Sequence, residues 1–154
     1  MLSFMNMDAV GFCSIETLHL QLNPTCTILI KAPNGKGKST ILSALVWAIY
    51  GKNLKGVSDV NTWKEVRPKD YKGTMVQVFF QKDTHTYKII RCQKYEEVLE
   101  DGAKGKDRLV FIKDGDVIDI KGKGKIQDSI NREVGLSYTL FMNSIMFGSY
   151  FLPG

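Results

Sequence analysis

The sequence predicts a domain of the mixed α/β class, with an antiparallel β meander in its second half. An apolar run at residues 27–30 precedes a glycine- and lysine-rich loop, and apolar residues with helical spacing follow that loop. Alternating apolar segments between residues 75 and 120 predict the meander. The chain has 154 residues, of which 44% are apolar and 24% charged, a composition typical of one domain with its own core.

Two strands are predicted before the loop and one helix after it. Residues 2–7 form the first strand, and residues 17–22 form the second because leucine occupies every other position. The helix after the loop is expected to end at Gly51, because glycine readily adopts the left-handed conformation of a helix C-terminus.

A long polar segment and then the meander follow this helix. Residues 52–73 are predicted to form an ordered surface loop, anchored by Val57, Val60 and Trp63. A hairpin turn is expected at Asp114-Gly115. The predicted strands of the meander are residues 75–80, 87–92, 109–112 and 117–120.

Two helices are predicted to close the chain. Apolar residues at helical spacing between residues 126 and 134 predict a helix that ends at Gly135. A second helix is expected to be capped by the hydroxyl of Ser137 and to run towards Gly148.

The loop at residues 32–40, Ala-Pro-Asn-Gly-Lys-Gly-Lys-Ser-Thr, is typical of a phosphate-binding loop (a P-loop, or Walker A motif). Gly35 and Gly37 allow the backbone to curl so that successive N–H groups converge on one anion. A helix beginning near Lys38 would direct its positive end to the same place. Lys38 can reach the β- and γ-phosphates, and the hydroxyl of Ser39 can bind Mg²⁺.

The loop therefore predicts ATP and Mg²⁺ as cofactors, although its first glycine is replaced by Ala32. The alternative is a surface turn that is merely rich in glycine and lysine. The predicted nucleotide contacts are Pro33, Asn34, Gly35, Lys36, Gly37, Lys38, Ser39 and Thr40, with Lys38 as the catalytic residue and Ser39 as a metal ligand.

Composition argues against a secreted or membrane-spanning protein. The three cysteines, Cys13, Cys26 and Cys92, form no CxxC pair, which favours a reducing compartment and a cytoplasmic location. No secretory signal precedes the first strand, and the longest apolar run, residues 41–50, is too short to cross a bilayer. A net charge of +5 permits contact with a polyanion.

Three stretches together resemble the N-terminal half of an ATPase head of the ABC superfamily. They are the loop and helix at residues 32–51, the turn Gly-Phe-Cys-Ser at residues 11–14, and residues 134–148. The similarity is to the SbcC-type branch, which is related to the structural-maintenance-of-chromosomes (SMC) proteins and supplies the ATPase subunits of double-strand-break repair nucleases. The resemblance implies the fold of a P-loop NTPase, in its N-terminal lobe.

The resemblance also implies a function in DNA repair or recombination. In such proteins two heads enclose two ATP molecules as a homodimer, and hydrolysis changes the access of a partner endonuclease to DNA ends. The implied partners are an SbcD-type metallonuclease, the complementary C-terminal lobe, a second head and DNA, with no membrane. Phage members of the family imply a location in the host cytoplasm near the nucleoid.

Two positions depart from the family pattern. The family usually places a glutamine that binds Mg²⁺ in the turn after the last helix, and the matching residue here is Ser149. An arginine near the nucleotide is common in the first turn, where this chain has Cys13. The resemblance makes Ser149 a second candidate metal ligand, with a shorter side chain than the usual glutamine.

A complete ABC-type head needs further parts that residues 52–154 do not offer. These are a signature loop, a strand that ends in Asp-Glu and a switch histidine, which in the family follow a long coiled coil. Residues 1–154 are therefore expected to be a single N-terminal lobe without coiled coil or C-terminal lobe, and inactive alone. The alternatives are a binding module that never hydrolyses nucleotide and a transporter ATPase subunit.

Other candidate residues have simpler interpretations. His19 and His85 lack neighbours at metal-ligand spacing, and a structural role is expected for each. The acidic run at residues 96–101 is expected to be solvated. Two interpretations, DNA contact and a soluble basic face, remain open for Lys104, Lys106, Arg108, Lys121, Lys123 and Lys125.

Overall fold

The computed structural model describes residues 2–21 and 35–146, with side chains for residues 2–21 and 40–143. Within these residues, six strands form an antiparallel sheet in the order β2-β1-β3-β4-β7-β8, and β5 pairs with β6 in a separate hairpin. The strands are β1 (Leu2–Phe12), β2 (Ile15–Gln21), β3 (Thr74–Lys82), β4 (His85–Gln93), β5 (Tyr95–Val98), β6 (Lys104–Lys106), β7 (Leu109–Lys113) and β8 (Asp116–Val117).

One row of fully buried side chains crosses four neighbouring strands of the sheet. Met7 pairs with Val78, Val78 with Ile89, and Ile89 with Phe111. This row lies on the face against which the helices pack, so alternation along each strand places every second residue in the core. A bulge near residue 5 shifts the alternation in β1, which is why Phe4 and Met7 are both buried although they are three residues apart.

The first helix, α1 (Gly35–Tyr50), packs against β1, β3 and β4. It begins three residues before the position predicted from the sequence, near Lys38. Glycine has no β-carbon and adopts turn and helical conformations alike, so Gly35 and Gly37 gave no reliable marker of the first turn. The predicted end is confirmed, because Gly51 has φ 78° and donates its N–H to the Trp47 carbonyl at 2.7 Å.

The predicted anchoring of residues 52–73 is wrong at two of its three positions. Val60 is fully buried, but Val57 is 45% and Trp63 77% exposed. The segment is held instead by polar contacts, which hydrophobic patterning does not detect. Asn61 Nδ2 donates to the Tyr71 hydroxyl at 2.9 Å and to Thr74 Oγ1 at 2.8 Å.

Two parts of the meander differ from the prediction. Strand β8 ends at Val117 rather than at residue 120, because after the bond from Ile118 N to the Phe111 carbonyl the chain leaves the sheet towards the next helix. The β5–β6 hairpin was not predicted, since its strands are mostly charged. The predicted turn at Asp114-Gly115 is confirmed, with φ values of 51° and 86°.

Two further helices complete the described part of the chain. Helix α2 (Lys123–Val134) packs on β7 and ends at Gly135, which has φ 78° as predicted. Helix α3 (Tyr138–Met146) begins at the predicted cap, where Ser137 Oγ accepts the N–H of Leu140 at 3.2 Å. Within residues 2–21 and 35–146, no helix is both long and apolar enough to cross a membrane.

Candidate nucleotide site

The structure describes the predicted phosphate-binding residues from Gly35 onwards, where they form the start of α1. The backbone of residues 35–39 is helical. Pro33, Asn34 and Ser149 lie outside the described residues. For residues 35–39 the structure describes the backbone and not the side chains, which include those of Lys38 and Ser39. The helix at this point therefore provides the geometry of the candidate site, and Thr40 lies half-buried on it.

The N-terminus of α1 suits an anion. The first backbone N–H groups of any helix have no carbonyl partner within that helix, and the aligned peptide dipoles add partial positive charge there. No acidic residue occupies the first turn of α1 to offset this charge. With lysine and serine adjacent in the sequence, the donors present fit a triphosphate and its magnesium ion.

The opposite end of α1 is fixed by a buried arginine. Arg91 on β4 donates from Nε to the Ala48 carbonyl at 3.0 Å and from Nη2 to the Ile49 carbonyl at 3.2 Å. Nη2 also donates to Gln127 Oε1, and Gln127 Nε2 donates to the Ile49 carbonyl at 2.8 Å. These contacts satisfy carbonyls that the helix end leaves without a partner.

Arg91 is a partly buried cation, and no carboxylate of the described residues pairs with it. Among the described residues none of the ion pairs includes Arg91, and burial lowers the pKa of its guanidinium to about 10. The negative end of the α1 dipole takes the place of a counterion. Burial of a charge is costly unless the charge keeps its hydrogen-bond partners. The contacts of Arg91 therefore fix α1 relative to β4 and α2.

Aromatic contacts fix the second half of α1 further. Trp47 packs against Phe12, with ring centroids 5.8 Å apart, and Tyr50 packs against Phe141 at 5.5 Å. The Tyr50 hydroxyl donates to the Leu136 carbonyl at 2.7 Å. Residues 44–50 are all buried, so α1 holds its N-terminus in a fixed position relative to the sheet.

The turn between β1 and β2 contains Cys13, where the family often has an arginine. Cys13 has φ 50°, and its N–H donates to the Val60 carbonyl at 2.9 Å. Its thiol is half-buried, and its pKa is raised by burial and by the charge of Asp59. A neutral thiol supplies no positive charge, so Cys13 does not replace an arginine.

Each of the two histidines pairs with one aspartate. His19 Nδ1 contacts Asp8 Oδ1, and His85 Nδ1 lies 2.5 Å from Asp114 Oδ2. Hydrogen bonds from the Thr86 N–H and from His85 lower the pKa of the Asp114 carboxyl. These contacts join neighbouring turns and strands.

The acidic run is exposed, as predicted, and pairs with basic side chains. Glu100 contacts Lys88 at 2.9 Å, and Asp101 binds Arg108. Of the basic candidates, Arg108 and Lys123 line a hollow of about 360 Å³ beside Arg91. The geometry leaves both interpretations of this basic face open.

Sequence reasoning missed the arginine and glutamine that fix α1. The available signal was Arg91 in the apolar segment Tyr87–Cys92, where a charged residue on a buried strand needs polar partners. No local pattern indicated that those partners would be the carbonyls of α1, because the contact joins residues more than 40 positions apart.

Comparison with known proteins gives the following matches. The profile of the AAA domain family matches residues 9–149. Two curated phage proteins, both called exonuclease subunit 2, are similar over 148 residues: the one from Escherichia phage RB69 is 27% identical, and the one from Enterobacteria phage T4 is 24% identical. Each match covers 95% of this chain and 23% of the relative, so the chain spans about a quarter of the length of these proteins.

Among solved structures, the chain is similar to the recombination mediator protein RecF with ATP, from the RecFOR pathway. The superposition has a TM-score of 0.49 and 16% sequence identity, and it covers 81% of this chain and 30% of that one. The family match and the phage relatives confirm the resemblance to ATPase heads of this branch that the loop and residues 134–148 indicated. They also confirm the predicted class, a mixed α/β fold of the P-loop NTPase type.

Proposed function

The chain belongs to the AAA domain family, and from this premise we propose that it is the ATP-binding lobe of a DNA-repair or recombination ATPase. The observation that carries the proposal is the continuity of residues 32–40 with α1. A loop typical of phosphate binding leads into a helix whose first turn lacks acidic residues and whose far end is fixed by Arg91. A fixed helix N-terminus is what a preorganised phosphate site requires.

Each loop residue has a specific role in this proposal. The backbone N–H groups of residues 34–38 surround the phosphates, and the ammonium of Lys38 contacts the β- and γ-phosphate oxygens. Ser39 and Ser149 are the side chains that would hold Mg²⁺ through their hydroxyl groups, Ser149 directly or through water. When bound there, the metal would supply positive charge that offsets part of the charge of the phosphates.

The names of the relatives support the proposed partners. The name exonuclease subunit 2 supports a nuclease partner for this chain too, an SbcD-type metallonuclease, and DNA ends as the object of the complex. We further propose that residues 1–154 form one N-terminal lobe. A complementary C-terminal lobe then supplies the carboxylate that activates water, and a second head in an ATP-bound dimer supplies the signature loop. The assembly is expected in the host cytoplasm.

Phosphate release distinguishes this proposal from its alternative, a module that binds without turnover. The chain alone should release phosphate from ATP no faster than its Lys38→Ala variant, because in this proposal the general base belongs to the C-terminal lobe. Addition of the C-terminal lobe should produce turnover that depends on Lys38, and DNA with the nuclease should raise it further. Turnover by the chain alone would contradict the single-lobe assignment, and none after reconstitution would favour the binding module.

A further inference from the structure

The two tryptophans of the chain are in opposite environments. Trp47 is 2% exposed and packs in the core, whereas Trp63 is 77% exposed at the start of a short 3-10 turn, Lys64–Val66. Burial of a large aromatic side chain stabilises the folded state, and an exposed indole does not contribute this stabilisation. The position of Trp63 therefore needs an explanation other than core packing.

The backbone that carries Trp63 is held rigidly on both sides. The Thr62 hydroxyl donates to the Cys13 carbonyl at 2.6 Å, and the Thr62 N–H donates to the Tyr71 hydroxyl at 3.1 Å. Arg67 donates from Nε to the Thr62 carbonyl at 2.5 Å while its guanidinium lies over the Tyr71 ring at 4.7 Å. The indole is thus displayed from a fixed platform, which reduces the entropy lost when a ligand binds.

A hollow of about 260 Å³ lies beside the exposed indole. Trp63 forms its aromatic side, and the buried segment of Asn61 and Thr62 contributes polar groups. Its cationic border includes Lys64 and Lys94, and none of the ion pairs among the described residues involves either lysine. Asp59 and Glu65 are the acidic residues at the same hollow, against three basic ones when Arg67 is counted.

We propose that this hollow binds one nucleotide unit of single-stranded DNA, with the base stacked on Trp63 and the flanking phosphates on Lys64 and Lys94. A flat aromatic surface beside basic side chains is the combination that binds single strands without regard to sequence. The choice of DNA rests on the proposed function. The proposed stacking of a base on Trp63 does not depend on ATP.

A protein partner is the competing occupant of this surface, and the composition of the hollow disfavours it. The exposed apolar neighbour Val66 borders a different hollow, near Gly11 and Gly73, and among the described residues that line this hollow Trp63 is the one apolar side chain. Stable protein interfaces place their aromatic anchors in continuous apolar patches. The other described residues that line the hollow are all polar or charged.

The test uses the fluorescence of the exposed indole. Titration of the chain with single-stranded oligothymidylate should quench the red-shifted emission of Trp63 and leave the blue-shifted emission of buried Trp47 unchanged. Trp63→Ala should weaken binding about 5- to 150-fold, the range measured for loss of one stacked base. Trp63→Tyr should retain most of the affinity, because it keeps an aromatic face.

Salt dependence tests the phosphate contacts. Lys64→Gln and Lys94→Gln should each reduce the slope of log K against log salt by about 0.7, the value for one phosphate contact on a single strand. The matched control for the charge is Lys55→Gln, and for loss of an exposed apolar side chain it is Val117→Ala, at the opposite edge of the sheet. Both controls should bind oligothymidylate like the unmodified chain.

Several results would overturn the proposal. Equal affinity of Trp63→Ala and the unmodified chain for oligothymidylate would show that no base stacks there, as would equal loss in the two controls. Quenching of Trp63 by ATP alone would assign the hollow to a free nucleotide, and quenching only by the nuclease subunit would assign it to a protein. ATP affinity of the Trp63→Ala variant, measured separately, distinguishes failure here from failure of the proposed function.

Discussion

Replacement of Arg91 by methionine tests whether the buried guanidinium fixes α1. The side chain makes three hydrogen bonds, to the carbonyls of Ala48 and Ile49 and to Gln127 Oε1. Bonds to a charged group contribute about 1.5–3 kcal/mol each, so together they contribute roughly 4.5–9 kcal/mol. Burial lowers the pKa from 12.5 to about 10, which corresponds to a desolvation cost of about 3 kcal/mol at 1.36 kcal/mol per pKa unit.

The difference predicts that Arg91→Met lowers the free energy of unfolding by about 1.5–6 kcal/mol. Methionine retains much of the apolar packing, so the loss is mainly polar. For a domain of this size the expected fall in Tm is about 3–24 °C. Thermal and urea unfolding, followed by far-ultraviolet circular dichroism and tryptophan emission, measure both quantities.

Arg132→Met is the matched control, because Arg132 is exposed on the same helix as Gln127. Its effect should stay within about 0.5 kcal/mol. Equal stability of Arg91→Met and the unmodified chain would refute the reasoning. It would mean that removing the desolvated charge compensates for every lost bond, as occurs for some buried ion pairs.

Three further predictions concern other parts of the molecule. Gly73→Ala should lower the free energy of unfolding in urea by at least about 2 kcal/mol, because φ is 100° and a β-carbon would lie 2.0 Å from the carbonyl oxygen of Lys94. Gly102→Ala should lower it less, because no described atom lies within 4 Å of the added β-carbon. A hydrogen bond from Arg108 holds the pKa of Asp101 at about 2 rather than 3.8. The ionised carboxylate therefore contributes its full stabilisation above pH 3.8 and loses it as the pH falls through about 2. An NMR titration of the carboxyl group should show a rise in this pKa in Arg108→Gln. Ser149→Gln should strengthen ATP binding with Mg²⁺ and leave it unchanged without Mg²⁺, whereas equal affinities in magnesium would place the metal-binding turn elsewhere.

Local chemistry made several elements predictable from the sequence. The ends of α1 and α2 follow from glycines that adopt positive φ, at Gly51 and Gly135. The start of α3 follows from the hydroxyl of Ser137, which caps the next turn. Each of these signals acts within a few residues, so a single sequence contains it.

Features that depend on distant contacts were not predictable. The hydrophobicity of Trp63 predicts a core position. The structure instead places it exposed on a turn that is held by the bond from the Thr62 N–H to the Tyr71 hydroxyl. The β5–β6 hairpin has no apolar alternation, and bonds such as Leu99 N to the Ala103 carbonyl at 2.8 Å hold it. Arg91 has partners on α1 and α2, 42 and 36 residues away in the chain.

The candidate site was predictable in composition and only partly in geometry. Glycines, lysine and serine at fixed spacing indicate phosphate binding, because each residue type has a separate physical role. That the helix N-terminus lacks acidic residues could also be read from the sequence. The way α1 is fixed could not, since that depends on Arg91 and on the aromatic contacts of Trp47 and Tyr50.

Calorimetric titration with Mg-ATP tests the central claim, that the loop at residues 32–40 binds a nucleoside triphosphate. Lys38→Ala should remove most of the binding, because the phosphates lose the side-chain cation that contacts them. Lys36→Ala is the matched control, since it also removes one positive charge from the loop but keeps the backbone N–H, and it should bind nearly as well as the unmodified chain. Unchanged ATP affinity in Lys38→Ala, or equal loss in the two variants, would contradict the assignment of this loop as the nucleotide site.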